Sequence, residues 1–284
     1  MHEKQTSITA ILATMLRATH QTIDSEPKIL IDPVSILLGK EFEGSPEWIA
    51  FKAVPESFKR MTRAALLLRS RYAEDVLQEV LSCGECQYVI LGAGFDTFAY
   101  RQPSWSQATR IFEVDLPATQ ESKRMVLQKA GIATPENLRY CPVDLQKSPL
   151  RDALAKAAFE FNIPTVFSWL GVTQYISRPA IQSTFEFIRS LPKSSTVVFS
   201  FVPSDAVLVG QDRQLIAELG RVAAARGEPF LSRFDPEELQ QLLYNLGFSS
   251  IYHLLPATAQ QRYFTGRTDG LTAQGAEQLM RATV

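Results

Sequence analysis

Cysteine and histidine are both scarce in this chain. Three cysteines, Cys83, Cys86 and Cys141, stand among 284 residues, and there are three histidines. A small, odd number of cysteines does not make a disulfide framework, so a reducing compartment is expected. Cys83 and Cys86 have Cys-x-x-Cys spacing, but a zinc site normally needs two further ligands nearby, and the sequence supplies none at that spacing. We therefore predict no metal site.

A dominant charge and long apolar runs are also lacking. Lys and Arg number 29 and Asp and Glu number 30, a net charge of −1 that favours neither nucleic acid nor an anionic membrane as a partner. The longest apolar runs, such as residues 64–68, fall far short of the ~18 residues that a membrane span needs. Residues 1–5 do not resemble the start of a signal peptide. We expect a cytoplasmic protein.

Apolar spacing divides the chain into a helical first part and an alternating remainder. Helical periodicity predicts helices over 7–22 and 55–81. From residue 87 onward, short β-rich runs alternate with helical patterns, which predicts βαβ units, a parallel sheet and a binding site at the carboxyl ends of the strands. The predicted strands cover 87–91, 110–114, 139–143, 165–170, 195–202, 250–255 and 261–265. The predicted helices among them cover 117–130, 147–159, 178–191 and 235–246.

This alternation predicts one α/β domain over residues 1–284. A helical N-terminal cap (1–82) precedes the core, and a helical segment without strand signals (204–233) is inserted as a lid. The α/β core itself comprises residues 83–203 and 234–270.

The strongest local signal is a glycine turn after the first strand. Gly92, Ala93 and Gly94 form a Gly-x-Gly sequence, and Asp96 follows within the turn. Glycine permits a tight turn and the close approach of a ligand, and the turn can present backbone N–H groups to an anion. On these residues alone, an ordinary strand-to-helix turn is an equally good interpretation.

Acidic residues at the ends of later strands favour a ligand. Glu113 and Asp115 end the second strand about 20 residues past the glycines, where an acid accepts hydrogen bonds from ribose hydroxyls. Asp144 ends the third strand and could accept a hydrogen bond from an adenine amino group, with Leu145 against the ring. Together these residues predict an adenosine-shaped slot.

The turn also discriminates between adenosine cofactors. A nicotinamide dinucleotide site has Gly-x-Gly-x-x-Gly, whereas Thr97 stands here at the third glycine position. Asp96 would repel a pyrophosphate but not a sulfonium or an amino group. The pattern therefore favours S-adenosyl-L-methionine over a dinucleotide.

These motifs, in this order, resemble the leucine carboxyl methyltransferase-like family of S-adenosylmethionine-dependent methyltransferases, in particular its bacterial O-methyltransferase branch. The resemblance implies a Rossmann-like class I methyltransferase sheet, mostly parallel with an antiparallel closing strand. It runs from about residue 8 to 270. The matching segments are residues 17–18, 32–33, 69–71, 91–97, 100–101, 112–117, 143–145, 169–176, 234–236 and 246–248.

The resemblance implies roles for individual residues. Gly92 and Gly94 would line the cofactor, Asp115 would hold the ribose with Glu113 beside it, and Arg69 would reach the methionine carboxylate. One position departs from the pattern: members that methylate a protein C-terminal leucine carry Glu where this chain has Leu170. The full set of predicted cofactor-binding residues is Arg69, Gly92, Ala93, Gly94, Asp96, Glu113, Asp115, Asp144, Leu145 and Leu170.

The departure at Leu170 favours a small-molecule acceptor. Trp169, Tyr175, Phe201 and Phe230 are candidates to line an apolar pocket for it, and Tyr175 is also the candidate catalytic residue. The acceptor would be a hydrophobic acid or a hydroxyl compound. Because histidines are few and lie away from the cofactor motifs, we predict that no histidine acts as a base.

Other classes and assemblies stay open at this stage. The alternatives are a nicotinamide-dependent oxidoreductase with the same sheet class and a methyltransferase-like binding subunit without catalysis, because binding residues alone do not establish chemistry. Apolar faces of the first helices could also pack against a second subunit, which would make a homodimer.

Overall fold

A computed structural model describes residues 7–284 of the chain. Its centre is a seven-stranded sheet with the order β3-β2-β1-β4-β5-β7-β6. The strands are β1 (Gln87–Leu91), β2 (Ile111–Asp115), β3 (Leu138–Pro142), β4 (Thr165–Trp169), β5 (Thr196–Phe201), β6 (Ser250–Leu254) and β7 (Gln278–Thr283).

The sheet is parallel except for β7. Strand β1 pairs in parallel with β2 and β4, and these pair in parallel with β3 and β5. Strand β7 runs antiparallel to both β5 and β6. The strand order reverses between β1 and β4, and a ligand site is expected at the carboxyl ends of the strands at such a point.

Helices cover both faces of the sheet and its carboxyl edge. None of those within residues 7–284 is both long enough and apolar enough to cross a membrane. They are α1 (Ile8–Ile23), α2 (Pro33–Lys40), α3 (Pro46–Ala53), α4 (Glu56–Cys83), α5 (Pro117–Lys129), α6 (Leu150–Lys156), α7 (Arg178–Arg189), α8 (Gly210–Ala225), α9 (Pro236–Leu246) and α10 (Pro256–Ala259).

Helix α9 shows how closely local sequence signals position an element. The Asp235 side chain caps its start by accepting hydrogen bonds from the backbone N–H groups of Glu237 and Glu238, and Pro236 occupies the first helical position. Gly247 ends the helix in the left-handed conformation, with φ of 91°. The predicted boundaries at Asp235 and Leu246 are confirmed.

Helix α4 is more than part of a cap. Its residues Leu67 and Val76 belong to a buried cluster with Val198 of β5 and Leu279 of β7. The helix therefore packs on one face of the sheet, whereas α6, α7 and α9 pack on the opposite face. The division of the chain into a cap over 1–82 and a core stays a prediction, and most of α4 packs with the sheet instead of standing apart from it.

The C-terminal part of the chain differs from the sequence prediction. A strand was predicted over 261–265, but residues 256–264 form α10 and a π-helical turn. The helix starts at Pro256, which supplies a suitable first helical residue. The second closing strand is β7, so the core continues to residue 283 instead of ending near 270.

Candidate functional site

A cavity of about 800 Å³ lies at the carboxyl ends of β1, β2 and β4. Residues of α1, α3 and α4 line it on one side, and residues of α8 line it from the inserted segment. The cavity therefore occupies the position that the strand order predicts. Nine of the predicted cofactor-binding residues line it: Arg69, Gly92, Ala93, Gly94, Asp96, Asp115, Asp144, Leu145 and Leu170.

The glycine turn is held tightly against the neighbouring strand. The backbone N–H groups of Gly92 and Ala93 both donate to the Val114 carbonyl, at 2.8 and 3.0 Å. Gly92 has φ of 66°, and a Cβ atom there would lie 2.3 Å from a Val172 methyl group. Only glycine fits this position without displacing its neighbour or straining the backbone.

Asp115 closes the turn from the end of β2. Its carboxylate accepts hydrogen bonds from the backbone N–H groups of Gly94 and Leu116, each at 2.6 Å. Burial raises the pKa of Asp115, and these two N–H donors act in the opposite direction. A carboxylate has about four lone-pair sites, so it can also accept hydrogen bonds from two ligand hydroxyls.

Asp144 and Leu145 extend the same wall of the cavity from the end of β3. The Asp144 carboxylate accepts a hydrogen bond from the Gln146 N–H at 3.0 Å and lies 3.5 Å from the Lys147 ammonium. An acidic oxygen next to an apolar side chain is suited to an adenine amino group and the face of its ring.

Arg69 meets a partner that the sequence did not indicate. Its Nη1 atom donates to both oxygens of the Glu277 carboxylate, at 2.8 and 2.9 Å. Gly171 makes room for this guanidinium, because a Cβ atom there would lie 2.4 Å from Nη1. Both hydrogen bonds to Glu277 come from Nη1, so the other edge of the guanidinium can meet a ligand carboxylate.

Tyr175 and Phe230 form an aromatic wall on the side of the cavity nearest α8. Both residues line the cavity, and their rings meet edge to face with centroids 5.4 Å apart. Burial raises the pKa of the Tyr175 phenol to about 12, and the nearby Glu228 carboxylate adds to this. Tyr175 therefore stays protonated at neutral pH and can donate a hydrogen bond.

Three predicted residues lie elsewhere. Glu113 is fully buried beside α5, where its carboxylate meets the Lys123 ammonium at 2.6 Å, and it does not line the cavity. It lies one pleat deeper in β2 than Asp115, which is the reason the two acids do not share a site. Trp169 and Phe201 are also fully buried and pack in the apolar core between the sheet and α7, so neither lines the acceptor pocket.

The described histidines do not line the cavity. His20 is buried, with Nδ1 at 2.7 Å from an Asp24 oxygen and Nε2 accepting the Ile29 N–H at 3.1 Å. His253 lies in β6, and the remaining histidine, His2, falls outside the described residues. The absence of a histidine base stays a prediction, and the geometry is compatible with it.

Sequence analysis placed Arg17 and Asp32 in segments that match the family but assigned a role to neither, so it missed what α1 contributes to the site. Arg17 lines the cavity and donates from Nη2 to the Phe95 carbonyl at 2.5 Å, next to the glycine turn. Asp32, which caps α2, accepts a hydrogen bond from the Thr97 hydroxyl at 2.7 Å. These contacts tie the N-terminal helices to the turn. An arginine within the apolar stripe of α1 was the signal that could have indicated Arg17.

The side chains around the cavity suit adenosine joined to an amino acid. Asp115 and Asp144 offer acidic oxygens at successive strand ends, Leu145 offers an apolar surface, and Arg69 offers a guanidinium. The close approach of the chain at Gly92 provides the cradle that such a ligand needs. A mostly parallel sheet of this order with this site defines a class I S-adenosyl-L-methionine-dependent methyltransferase.

Comparison with known proteins gives the family. The family model described as leucine carboxyl methyltransferase matches residues 10–189, and the chain belongs to this family. The chain is 32% identical to a predicted S-adenosyl-L-methionine-dependent methyltransferase, YktD, of Bacillus subtilis (strain 168), over 96% of this chain and 96% of that protein. The protein is therefore an enzyme that uses S-adenosyl-L-methionine.

Solved structures agree in fold. A DUF574 family protein from Streptomyces avermitilis MA-4680 superposes with a TM-score of 0.60 at 16% identity, covering 99% of this chain and 98% of the other. The crystal structure of a predicted methyltransferase from Thermobifida fusca YX superposes with a TM-score of 0.59 at 16% identity. The superposition covers 99% of this chain and 96% of the other. At this identity the likeness concerns the fold alone.

Proposed function

We propose that this methyltransferase acts on an oxygen atom of a hydrophobic small molecule, a carboxylate or a hydroxyl compound. The observation that carries the proposal is the composition of the cavity beyond the glycine turn. There the lining from α4, α8 and the segment after α8 is mostly apolar and aromatic. The residues concerned are Phe58, Leu215, Leu219, Val222 and Phe230.

The same proposal assigns the polar residues to the cofactor. Asp115 holds the ribose hydroxyls, and Asp144 with Leu145 holds the adenine. Arg69 holds the methionine carboxylate through the guanidinium edge that Glu277 does not use. When bound, S-adenosyl-L-methionine supplies an electrophilic methyl group on its sulfonium.

The protein's own contribution is alignment and the exclusion of water. Tyr175 and Phe230 provide an aromatic surface for the acceptor, and the protonated Tyr175 phenol can donate a hydrogen bond to it. This chain has Leu170 where members that methylate a protein terminus have Glu. That difference and the apolar lining support a small acceptor over a protein terminus. We also propose that the enzyme is cytoplasmic and that it has no nucleic-acid or membrane partner, the latter because its charge balance favours neither.

Calorimetric titration with S-adenosylhomocysteine, and with NAD in parallel, tests the cofactor assignments. The titrations compare wild type with the site variant Asp115→Asn and with Glu121→Gln, a matched control at an exposed position. Wild type and Glu121→Gln should bind S-adenosylhomocysteine and not NAD. Asp115→Asn should bind at least about tenfold more weakly, since a hydrogen bond to a charged group contributes about 1.5–3 kcal/mol. Equal binding by all three proteins would contradict the role of Asp115.

A further inference from the structure

Glu228, which follows α8, is a buried carboxylate with no cationic partner among residues 7–284. It is 8% exposed and lines the cavity. Within residues 7–284 it forms no ion pair, and its Oε2 atom accepts a hydrogen bond from the Thr9 hydroxyl at 3.0 Å. Burying a charge without a counter-charge is costly, so carboxylates in this position are common at functional sites and uncommon elsewhere.

A short series of contacts joins Glu228 to the cofactor turn. Thr9 is in the first turn of α1, and its neighbour Ala10 packs directly on Gly94, where an added Cβ atom would lie 3.1 Å from the Ala10 methyl group. Gly94 in turn donates its N–H to Asp115. Glu228 therefore lies near the turn that we assign to the cofactor.

Glu228 and the aromatic wall formed by Tyr175 and Phe230 line the same cavity. The charge of Glu228 acts on Tyr175, and Phe230 follows Glu228 by two residues and packs against the same tyrosine. Glu228 thus lines the cavity together with both the glycine turn of the proposed cofactor site and the aromatic wall of the proposed acceptor pocket.

The other ionisable groups that line this part of the cavity do not substitute for Glu228 as a proton acceptor. Two of them are carboxylates that already have cationic partners: Glu277 is paired with Arg69 at 2.8 Å, and Glu218 is paired with Arg221 at 2.6 Å. Tyr175 is protonated at neutral pH. Arg69 is paired with Glu277 and cannot accept a proton. Arg226 also lines the cavity, and its buried Nη1 atom has no hydrogen-bond partner among residues 7–284.

We propose that Glu228 is the general base of the reaction and that the acceptor is a hydroxyl compound, of the phenol or enol class. This inference rests on the proposed function above. A carboxylate acceptor is already ionised, needs no base and would be repelled by Glu228, whereas a hydroxyl group would donate a hydrogen bond to it.

The step balances without a further reagent. The hydroxyl proton moves to the Glu228 carboxylate as the acceptor oxygen forms a bond to the methyl carbon. The sulfur–methyl bond breaks, and its electron pair remains on sulfur, which becomes a neutral thioether. The protonated Glu228 then returns its proton to solvent.

Turnover with methyl-tritiated S-adenosylmethionine provides the first test. The acceptors are a series of substituted phenols and the matched benzoic acids. The pKa values of the phenols range from below to above neutral pH. Base treatment releases volatile methanol from a methyl ester but not from an aryl ether, so the product identifies the acceptor oxygen. We expect base-stable products, and we expect Glu228→Gln to reduce turnover of the weakly acidic phenols about 100- to 10,000-fold.

The loss should shrink for phenols that are already ionised at the assay pH, because these need no base. Glu121→Gln, an exposed change on α5, serves as the matched control and should leave turnover unchanged. A base-labile product, or a Glu228→Gln variant as active as wild type on weakly acidic phenols, overturns the proposal.

Binding provides a second readout that needs no turnover. Protein saturated with S-adenosylhomocysteine is titrated with each phenol and its matched benzoate. Wild type should prefer the phenol, and Glu228→Gln should lose that preference while binding S-adenosylhomocysteine normally. A wild type without the preference, or a variant that retains it, overturns the role of Glu228. Failure of wild type to bind S-adenosylhomocysteine would instead contradict the proposed function itself.

Discussion

Replacing Lys123 by Met would leave the Glu113 carboxylate buried without a cation. Both side chains are 0% exposed, and the ammonium nitrogen lies 2.6 Å from Glu113 Oε2. The second oxygen, Oε1, has no hydrogen-bond partner within the described residues, so Lys123 provides the main compensation for the charge. Removing one partner of a buried pair costs about 3–5 kcal/mol, and we expect the free energy of unfolding to fall by that amount near pH ~8.

This penalty should depend on pH in a defined direction. Burial raises the pKa of Glu113 to about 7, although Lys123 acts to lower it. Without Lys123 that pKa should rise further. A carboxyl group whose pKa is raised by folding keeps its proton in the folded state, and its contribution to stability is lost as the pH rises through the folded pKa. The penalty should therefore be smaller near pH ~6 than near pH ~8.

Urea unfolding of wild type and variants at the two pH values measures the effect. The double variant Glu113→Leu, Lys123→Met removes both charges and should recover most of the loss, since apolar replacement of a buried pair is often neutral or stabilising. It should also bind S-adenosylhomocysteine normally, because Glu113 does not line the cavity. A loss below about 1 kcal/mol, or the same loss at both pH values, would refute the reasoning.

Three further changes test the site and the fold. Gly92→Ala should abolish S-adenosylhomocysteine binding in calorimetry and destabilise the protein by at least about 1–2 kcal/mol, because φ is 66° and the new methyl group would lie 2.3 Å from Val172. Normal binding by this variant would contradict the tight turn. Arg69→Lys should weaken S-adenosylhomocysteine binding about tenfold or more, because an ammonium cannot contact Glu277 and a ligand carboxylate through two planar edges. Unchanged affinity would exclude the contact between Arg69 and the ligand carboxylate. Asp235→Ala should cost about 1 kcal/mol in urea unfolding through loss of the helix cap and leave binding intact; weaker binding would show that α9 influences the site.

Local signals were sufficient to predict most of the elements. Strand β1 was predicted with its observed ends, because its run is short, apolar and bounded by a glycine. The failure at 261–265 has a clear cause. A five-residue run with mixed residues is compatible with either a strand or a helical turn, and packing against α4 decides between them.

The site was predictable where a single strand end supplies the residue. Asp115 is the last residue of β2 and Leu170 directly follows β4, and both line the cavity. Glu113 lies two residues before Asp115, where α5 covers it. Trp169 lies one residue before Leu170, so its side chain is on the opposite face of the sheet, against α7. Sequence patterns indicate which end of a strand faces the ligand, but they do not give the depth at which a covering helix closes over the strand.

Other residues of the site depend on contacts between distant parts of the chain. Glu277 meets Arg69 across 208 positions, and Glu228 meets Thr9 across 219. Neither acid belongs to a local motif, so nothing in its immediate sequence distinguishes it from a surface acid.

The pairing of Arg69 with Glu277 affects the thermodynamics of ligand capture. A free arginine side chain carries about 2 kcal/mol of rotamer entropy, which an isolated residue would lose when it grips a ligand. Here Glu277 holds the guanidinium and Gly171 leaves space for it, so much of that entropy is lost during folding, before any ligand arrives. Docking of a carboxylate against Arg69 should therefore carry a smaller entropic penalty, and a Glu277→Gln variant should bind the same ligand with a less favourable entropy change.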